Sequence, residues 1–439
     1  MNKPNLSRYL NRLDGSRPAV RVHGRVRQVT GLMLRATVPG VTIGELVEVE
    51  TSRKGPLQAQ VVGFKGEEAV LMPLGSLMGV GPDSPVKATG EPLSVMCGQG
   101  LLGRVLDGLG RPMDGLGPIE GPLVARPLDC PPPDPMRRRR IDAPFETGVR
   151  AIDGLLTLGE GQRVGLFAGS GVGKSSLLGH LARSSSADVN VICLVGERGR
   201  ELRDFLEGAL GDEGRQRSVV VCATSDAPGL LRIKAALVAT SIAEHFRQQG
   251  KQVLLMMDSV TRLAQAQREV GLTAGEPPVR QGYPPSAFSL LPKLMERVGN
   301  DHQGSITAIY TVLVPGDDLR DPIADEVRSI LDGHIVLSRA LAERAHWPAI
   351  DVLQSLSRLM RALADKDHLE AAEAMRRALA LHEERRDLIS LGAYQHGDDP
   401  SLDEAIELRE DLDDFLQQDL HTHTPMSDTV DTIMDLMGV

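Results

Sequence analysis

The chemistry of this chain concentrates in the run Ala168-Gly169-Ser170-Gly171-Val172-Gly173-Lys174-Ser175-Ser176, which follows an apolar stretch of strand character and opens a stretch of helical character. Glycines in such a loop let backbone N–H groups turn inward on a phosphate chain, and the N-terminus of the following helix adds its partial positive charge. Lys174 is then in place to reach β- and γ-phosphates, and the Ser175 hydroxyl to ligate Mg²⁺. Ala168 stands where the strict pattern has glycine, a small-residue variant of the same loop. A carboxylate, Asp258, ends the apolar run Val253-Leu-Leu-Met-Met. At that place it would hold the Mg²⁺ shell or, more blandly, cap the next helix. Another, Glu197, follows Cys193-Leu-Val in Gly196-Glu197-Arg198-Gly-Arg200-Glu201. Hydrolysis needs a carboxylate beyond the γ-phosphate to polarise water. Spacing leaves Glu197, Glu201 and Glu207 all as candidates, and a surface ion pair with a nearby arginine accounts for Glu197 equally well.

These residues need elements to carry them. From Gly148 to about Leu363, apolar runs such as Arg163-Val-Gly-Leu-Phe, Val189-Asn-Val-Ile-Cys-Leu-Val and Ile306-Thr-Ala-Ile-Tyr alternate with helical stretches. Runs apolar on both faces belong to a parallel sheet covered by helices. Before this core, from Val20 to about Leu93, short alternating runs punctuated by Gly and Pro predict a small closed β-barrel of roughly 70 to 80 residues. A glycine-dense stretch from Gly103 to Gly115 reads as strand and tight turns, and Pro131-Pro-Pro-Asp-Pro followed by Arg137 to Arg140 as an extended connector in which helix is forbidden. After Ala364 strand signals vanish, and Ala372, Met375 and Leu379 recur at helical spacing up to a stop at Gly392. The expected division is therefore 1–93, a connector over 94–147, the core over 148–364 and a helical region over 365–439.

At 439 residues, two or three domains are expected, and 3% aromatic content means that aliphatic packing must fill them. The apolar runs are far shorter than the ~20 residues of a membrane helix, and Met1 to Arg17 has no signal-peptide core, so a cytosolic location is expected. Cys97, Cys130, Cys193 and Cys222 form no C-x-x-C pair and read as free thiols. The net charge of −10 resides at the C-terminal end, where residues 365 to 439 hold 20 acidic and 6 basic side chains. That distribution gives no support to nucleic acid as a main partner.

The phosphate loop, Gly196-Glu-Arg-Gly-Arg-Glu, Asp258-Ser-Val-Thr-Arg and the later Gly282-Tyr-Pro-Pro-Ser-Ala-Phe-Ser-Leu-Leu-Pro-Lys-Leu-Met-Glu-Arg together resemble the rotary ATPase superfamily, and within it the ATPases of type III secretion. The resemblance runs from about Gly24 to Phe415. It implies an α/β fold: a small N-terminal β-barrel that serves oligomerisation, a central RecA-like P-loop domain, and a C-terminal helical domain that docks substrates and chaperones. It implies Glu197 as the base that polarises water, Arg198 as a neighbour in the site, and Trp347, in His346-Trp-Pro-Ala-Ile-Asp, as the aromatic that stacks on adenine, where the family has Tyr or Phe. Arg358 matches the arginine finger that enters the neighbouring subunit's site. Gly169 to Ser176 would cradle ATP, with Mg²⁺ on Ser175 and Asp258.

The same resemblance implies a homohexamer with a central coiled-coil stalk protein in its pore, a stator protein, chaperone–effector complexes, and an indirect link to the inner-membrane export apparatus. Hydrolysis would energise protein secretion through chaperone release and unfolding. The Gly282-Tyr-Pro-Pro segment would line the pore, with Gln281 where the family often has Arg. Asp325-Glu-Val-Arg-Ser favours the injectisome branch over the flagellar export ATPase. A non-catalytic scaffold subunit would lose the lysine or the base, and both are kept here. A proton-translocating ring subunit fits the loop less well, and a ring helicase would want aromatic and basic surface on the barrel. Beyond Phe415 the tail has no counterpart; in His421-Thr-His423 two histidines one apart could touch a metal, but they are expected to be exposed and solvated.

Overall fold

The computed structural model describes residues 23–52, 55–314, 316 and 320–439, so the first residues of the run starting at Val20 lie outside it. Two compact units result, residues 1–93 and 94–439. In the first, β1 (His23–Thr30), β2 (Met33–Thr37), β3 (Glu45–Val49), β4 (Leu57–Lys65), β5 (Glu68–Pro73) and β6 (Pro85–Pro92) close into a barrel in the order β1-β2-β5-β4-β3-β6. Its interior follows from strand periodicity. Leu34 and Ala36, Val47 and Val49, and Ala59 and Val61 are buried while the residues between them face outward.

The second unit begins with β7 (Ser94–Cys97), β8 (Val105–Asp107) and β9 (Val124–Pro127), then the short pair β10 (Pro144–Phe145) and β11 (Leu158–Gly159). The remaining strands are β12 (Arg163–Ala168), β13 (Val189–Val195), β14 (Ser218–Ala223), β15 (Gln252–Asp258), β16 (Ser305–Leu313), β17 (Gly333–Leu337) and β18 (Ile350–Ser357). Eight of these form one sheet in the order β18-β17-β12-β16-β15-β13-β14-β8. All its neighbours pair in parallel except β17 with β18. β13 and β14 are buried at every position, as strands covered on both faces must be. The segment expected as a connector supplies β8, the sheet's last strand, through Val105 to Asp107 on Val220 to Cys222. The barrel, the parallel-sheet core and the helical C-terminal region are the fold class read from the sequence.

The C-terminal helix Lys366–Ser390 is capped by Asp365, whose side chain accepts from the His368 N–H, and it buries Ala371, Ala372, Met375 and Leu379. Gly392 follows with φ +65°, the left-handed backbone that ends helices. All four cysteines are free, three of them buried. None of the described helices is long and apolar enough to cross a membrane.

The segment before β10 is fastened to the core by a buried ion pair. Arg297 is bidentate on Glu244, with both bonds at 2.8 Å, and donates to Leu128 O at 2.7 Å and Ser241 Oγ at 3.0 Å. Both side chains are almost fully buried. Removing one partner strands the other charge away from water, so Glu244→Ala is expected to destabilise the fold by about 3 to 5 kcal/mol, read as a lower midpoint of urea denaturation.

Candidate active site

Because β12, β13 and β15 run in parallel, their carboxyl ends deliver Ala168, Val195 and Asp258 to one edge of the sheet. The loop after β12 turns into the helix Lys174–Ser184 through Gly171 (φ +80°) and Gly173 (φ +85°), the left-handed backbone that glycine adopts without strain. Val172 is buried in the core between them, which pins the loop, while Ser175 stays exposed at the first turn of the helix.

Lys174 Nζ lies 2.5 Å from Asp258 Oδ1 and 3.8 Å from Glu197 Oε1. Asp258 Oδ1 also accepts from Thr311 Oγ1 of β16 at 2.7 Å. The cap of the next helix is Ser259, whose side chain accepts from the Arg262 N–H, so Asp258 is free of capping duty. From that helix Arg262 reaches back: Nη1 donates to Gly196 O, and Nη2 stands 3.4 Å from Glu197 Oε2. Thr261 anchors the same turn by accepting from the Leu313 N–H at 2.9 Å.

Glu197 is thus held between Lys174 and Arg262 with only 7% of its surface exposed. Its Oε1 has no hydrogen-bond donor among the described residues. Burial raises its pKa to about 7, with the Asp258 charge and proton sharing with Glu201 adding to the rise and Lys174 and Arg262 opposing it. The orphaned Oε1 suits a site that takes up water. The exposed Ser175 hydroxyl and the Asp258 carboxylate are hard oxygen donors, few in number, which fits a Mg²⁺ ion that keeps waters and binds phosphate.

The lone tryptophan closes the other side of the loop. Trp347 is 38% exposed, and a Cβ on Gly173 would come within 2.8 Å of its ring. Trp347, Pro348, Gly173, Ser176 and Leu177 border a cleft of about 260 Å³ that Leu420 completes. The structure therefore brings Gly171 to Ser176, Glu197, Asp258 and Trp347 to one sheet edge and its rim. Arg198 points outward, 74% exposed and paired with Glu201 at 3.0 Å. Arg358 follows β18, exposed, and its backbone N–H donates to Asp332 O. Ser357 pairs with Gly333 whereas Ile350 pairs with Leu337, the residue level with Ala168. Arg358 therefore sits a strand's length, roughly 13 Å, from the phosphate loop's end of the sheet. Sequence reasoning had given no role to Arg262, Thr311, Gln418 or Leu420.

Fold and site together define a P-loop nucleotide-binding subunit of the ATP synthase type. The nucleotide-binding domain of the ATP synthase alpha/beta family matches residues 148–357, its beta-barrel domain matches 26–90, and the C-terminal domain of the T3SS EscN ATPase matches 364–435. The chain is 54% identical to the type 3 secretion system ATPase of Xanthomonas euvesicatoria over 91% of its length and 90% of that protein's. It is 49% identical to the flagellum-specific ATP synthase of Bacillus subtilis over 95% of each. The assembled ATPase EscN of enteropathogenic E. coli superposes with a TM-score of 0.88 at 46% identity, covering 94% of this chain and all of that one. A second EscN structure, in complex with its central stalk EscO, matches equally well. The chain belongs to the type III secretion ATPase family, to which the flagellar export enzymes are closely related, and is an ATPase. Most of the tail that had no counterpart in the sequence reading falls inside the C-terminal match; His421 and His423 are exposed, as expected, with His423 3.3 Å from Glu146, while Gln418 is buried.

The raised pKa of Glu197 has a stability consequence. The folded chain holds this proton up to about pH 7 while the unfolded chain releases it near 4.5, so stability falls as pH rises through that window. Glu197→Gln is therefore expected to be more stable than wild type at pH 8 by about 2 kcal/mol, the difference closing toward pH 4.5, as measured by urea denaturation at both pH values.

Proposed function

We propose that the chain hydrolyses MgATP as one subunit of a homohexameric ring that energises type III protein secretion. The observation that carries this reading is Glu197: a buried carboxylate beside Lys174 and Asp258, with one oxygen that no donor among the described residues satisfies. On binding ATP, Lys174 leaves its carboxylate partners for the β- and γ-phosphates, and the backbone N–H groups of Gly169 to Ser176 cradle the chain. Ser175 and Asp258 would hold Mg²⁺, which would neutralise charge on the phosphate oxygens. With the lysine withdrawn, Arg262 orients Glu197, whose Oε1 takes a proton from a water that attacks the γ-phosphorus in line as the bond to the bridging oxygen breaks and ADP leaves. Trp347 stacks on adenine in the cleft beside the loop, and Arg198 belongs to the rim of the site.

Arg358 acts in a neighbouring subunit. Its exposure and its distance from its own chain's phosphate loop support that assignment, as does the assembled form in which EscN was solved. The barrel, residues 1–93, holds the ring together, residues 94–147 connect, 148–364 catalyse and 365–439 meet chaperone–effector complexes. The turn Arg280–Tyr283, with Gln281 (φ +45°) and Gly282 (φ +83°) at its tip, faces the pore and the central stalk. A stator protein and, through it, the inner-membrane export apparatus hold the ring at the cytoplasmic face of the secretion machinery. The similarity to the Bacillus subtilis enzyme supports flagellar export as the second reading. Loss of motility rather than of effector secretion on deletion would select it.

Glu197→Gln and Arg358→Ala are each expected to lower kcat about a thousandfold or more, and mixing the two inactive variants to restore part of it, because one defect lies within a subunit and the other across an interface. Wild-type activity per subunit should climb with protein concentration as rings form. No hydrolysis by assembled wild type would sink the motor reading in favour of a scaffold subunit.

A further inference from the structure

Arg163 opens β12 at the end of the sheet away from the phosphate loop, and its side chain is only 15% exposed. Burying a charge costs free energy unless partners meet it, and here two carboxylates do. The Asp332 carboxylate accepts from Arg163 at three places, the backbone N–H at 3.2 Å, Nε at 3.1 Å and Nη2 at 3.4 Å. Arg163 Nη1 donates to Glu296 Oε1 at 2.6 Å. Glu296 closes the helix Pro285–Met295 and is braced in turn by Arg138, whose Nη2 lies 3.5 Å from its Oε2. With an acid on either side, the planar guanidinium is fixed in its orientation.

The backbone of Asp332 carries this grip to Arg358. Its N–H donates to Arg163 O at 2.9 Å, while its carbonyl accepts from the Arg358 N–H at 3.0 Å and from Gln162 Nε2 at 3.1 Å. The fully buried Gln162 side chain also donates to Ser357 Oγ at 3.1 Å, so the residue before Arg358 is tied to the same point. Gly333 lets β17 and β18 close up here, since a Cβ on it would stand 2.6 Å from Leu356 O. Arg358 itself is exposed, and what aims its side chain is the backbone that these bonds hold. A long side chain that must meet developing charge in another subunit loses much of its effect when its base shifts by about an ångström.

We propose that Arg163 is a positioning residue for hydrolysis: held against Glu296, it grips Asp332 and so fixes the backbone from which Arg358 reaches the neighbouring subunit's site. This rests on the reading of Arg358 as acting across a subunit interface. The strand that carries the phosphate loop at one end then holds, at its other end, the arginine that serves the next site along the ring.

Arg163→Lys keeps the charge but loses the planar fork, and Asp332→Asn keeps the shape but loses the charge. Each is expected to lower kcat about tenfold, with KM for ATP within about twofold of wild type. Mixing the full-length chains separates a misplaced finger from a damaged phosphate loop. A subunit whose finger is misplaced keeps its own Lys174, Glu197 and Asp258. Mixed with Glu197→Gln subunits, whose fingers are intact, either variant should therefore gain activity severalfold, and mixed with Arg358→Ala subunits it should gain none. A gain with Arg358→Ala instead, which would place the damage in the chain's own phosphate loop, overturns the inference. So do a gain with neither partner and a wild-type kcat in either variant. If Glu197→Gln and Arg358→Ala fail to restore one another, the assignment of Arg358 across the interface falls, and this inference with it.

Discussion

A lysine and two carboxylates share a site from which water is largely excluded. Each charge placed there loses hydration, and two carboxylates alone would also repel one another. Lys174 makes the arrangement tolerable by standing 2.5 Å from Asp258 and 3.8 Å from Glu197, yet burial first, and the Asp258 charge second, still raise the pKa of Glu197. No single segment can supply three such groups in so small a volume. They come from the ends of three strands, and only parallel strands bring their carboxyl ends to the same edge. The parallel sheet in turn demands crossover helices on both faces, and hence the fully apolar strands that dominate the central sequence.

That chain of necessity explains what the sequence discloses. The phosphate loop is legible because its spacing is itself the structure: glycines at Gly171 and Gly173 occupy the two left-handed positions of the turn. The core strands are legible because burial on both faces removes polar residues for five or more positions. The choice among Glu197, Glu201 and Glu207 is not legible, since all three follow the same strand within eleven residues. Folding separates them. Glu207 is 69% exposed and paired with Arg203, Glu201 is 39% exposed and shares the proton of its neighbour, and Glu197 alone faces the lysine.

The remaining site residues are hidden by distance along the chain. Thr311 meets Asp258 across 53 residues and Gln418 meets Gly148 across 270, and neither carries a local pattern of its own. The strand β8 shows the same limit from another side. Its Val-Leu-Asp run reads as a strand, but only the register against Val220 to Cys222 reveals that a segment expected to connect domains completes the sheet.

The acidity of the C-terminal region needs separate treatment, because a net negative surface beside a site for a polyanion would oppose binding. The buried positions of its helices are apolar, Met375, Leu379, Leu402, Leu412 and Phe415 among them, so its excess of carboxylates lies on outward faces. At physiological ionic strength such charges are screened beyond roughly 8 Å. Residues 417–424 meet the cleft at Leu420, whose carbonyl is bonded to His180 and Arg183, and no carboxylate borders the cleft. The region can therefore carry a strongly acidic surface and still border the cleft beside the phosphate loop, because none of its carboxylates lines that cleft.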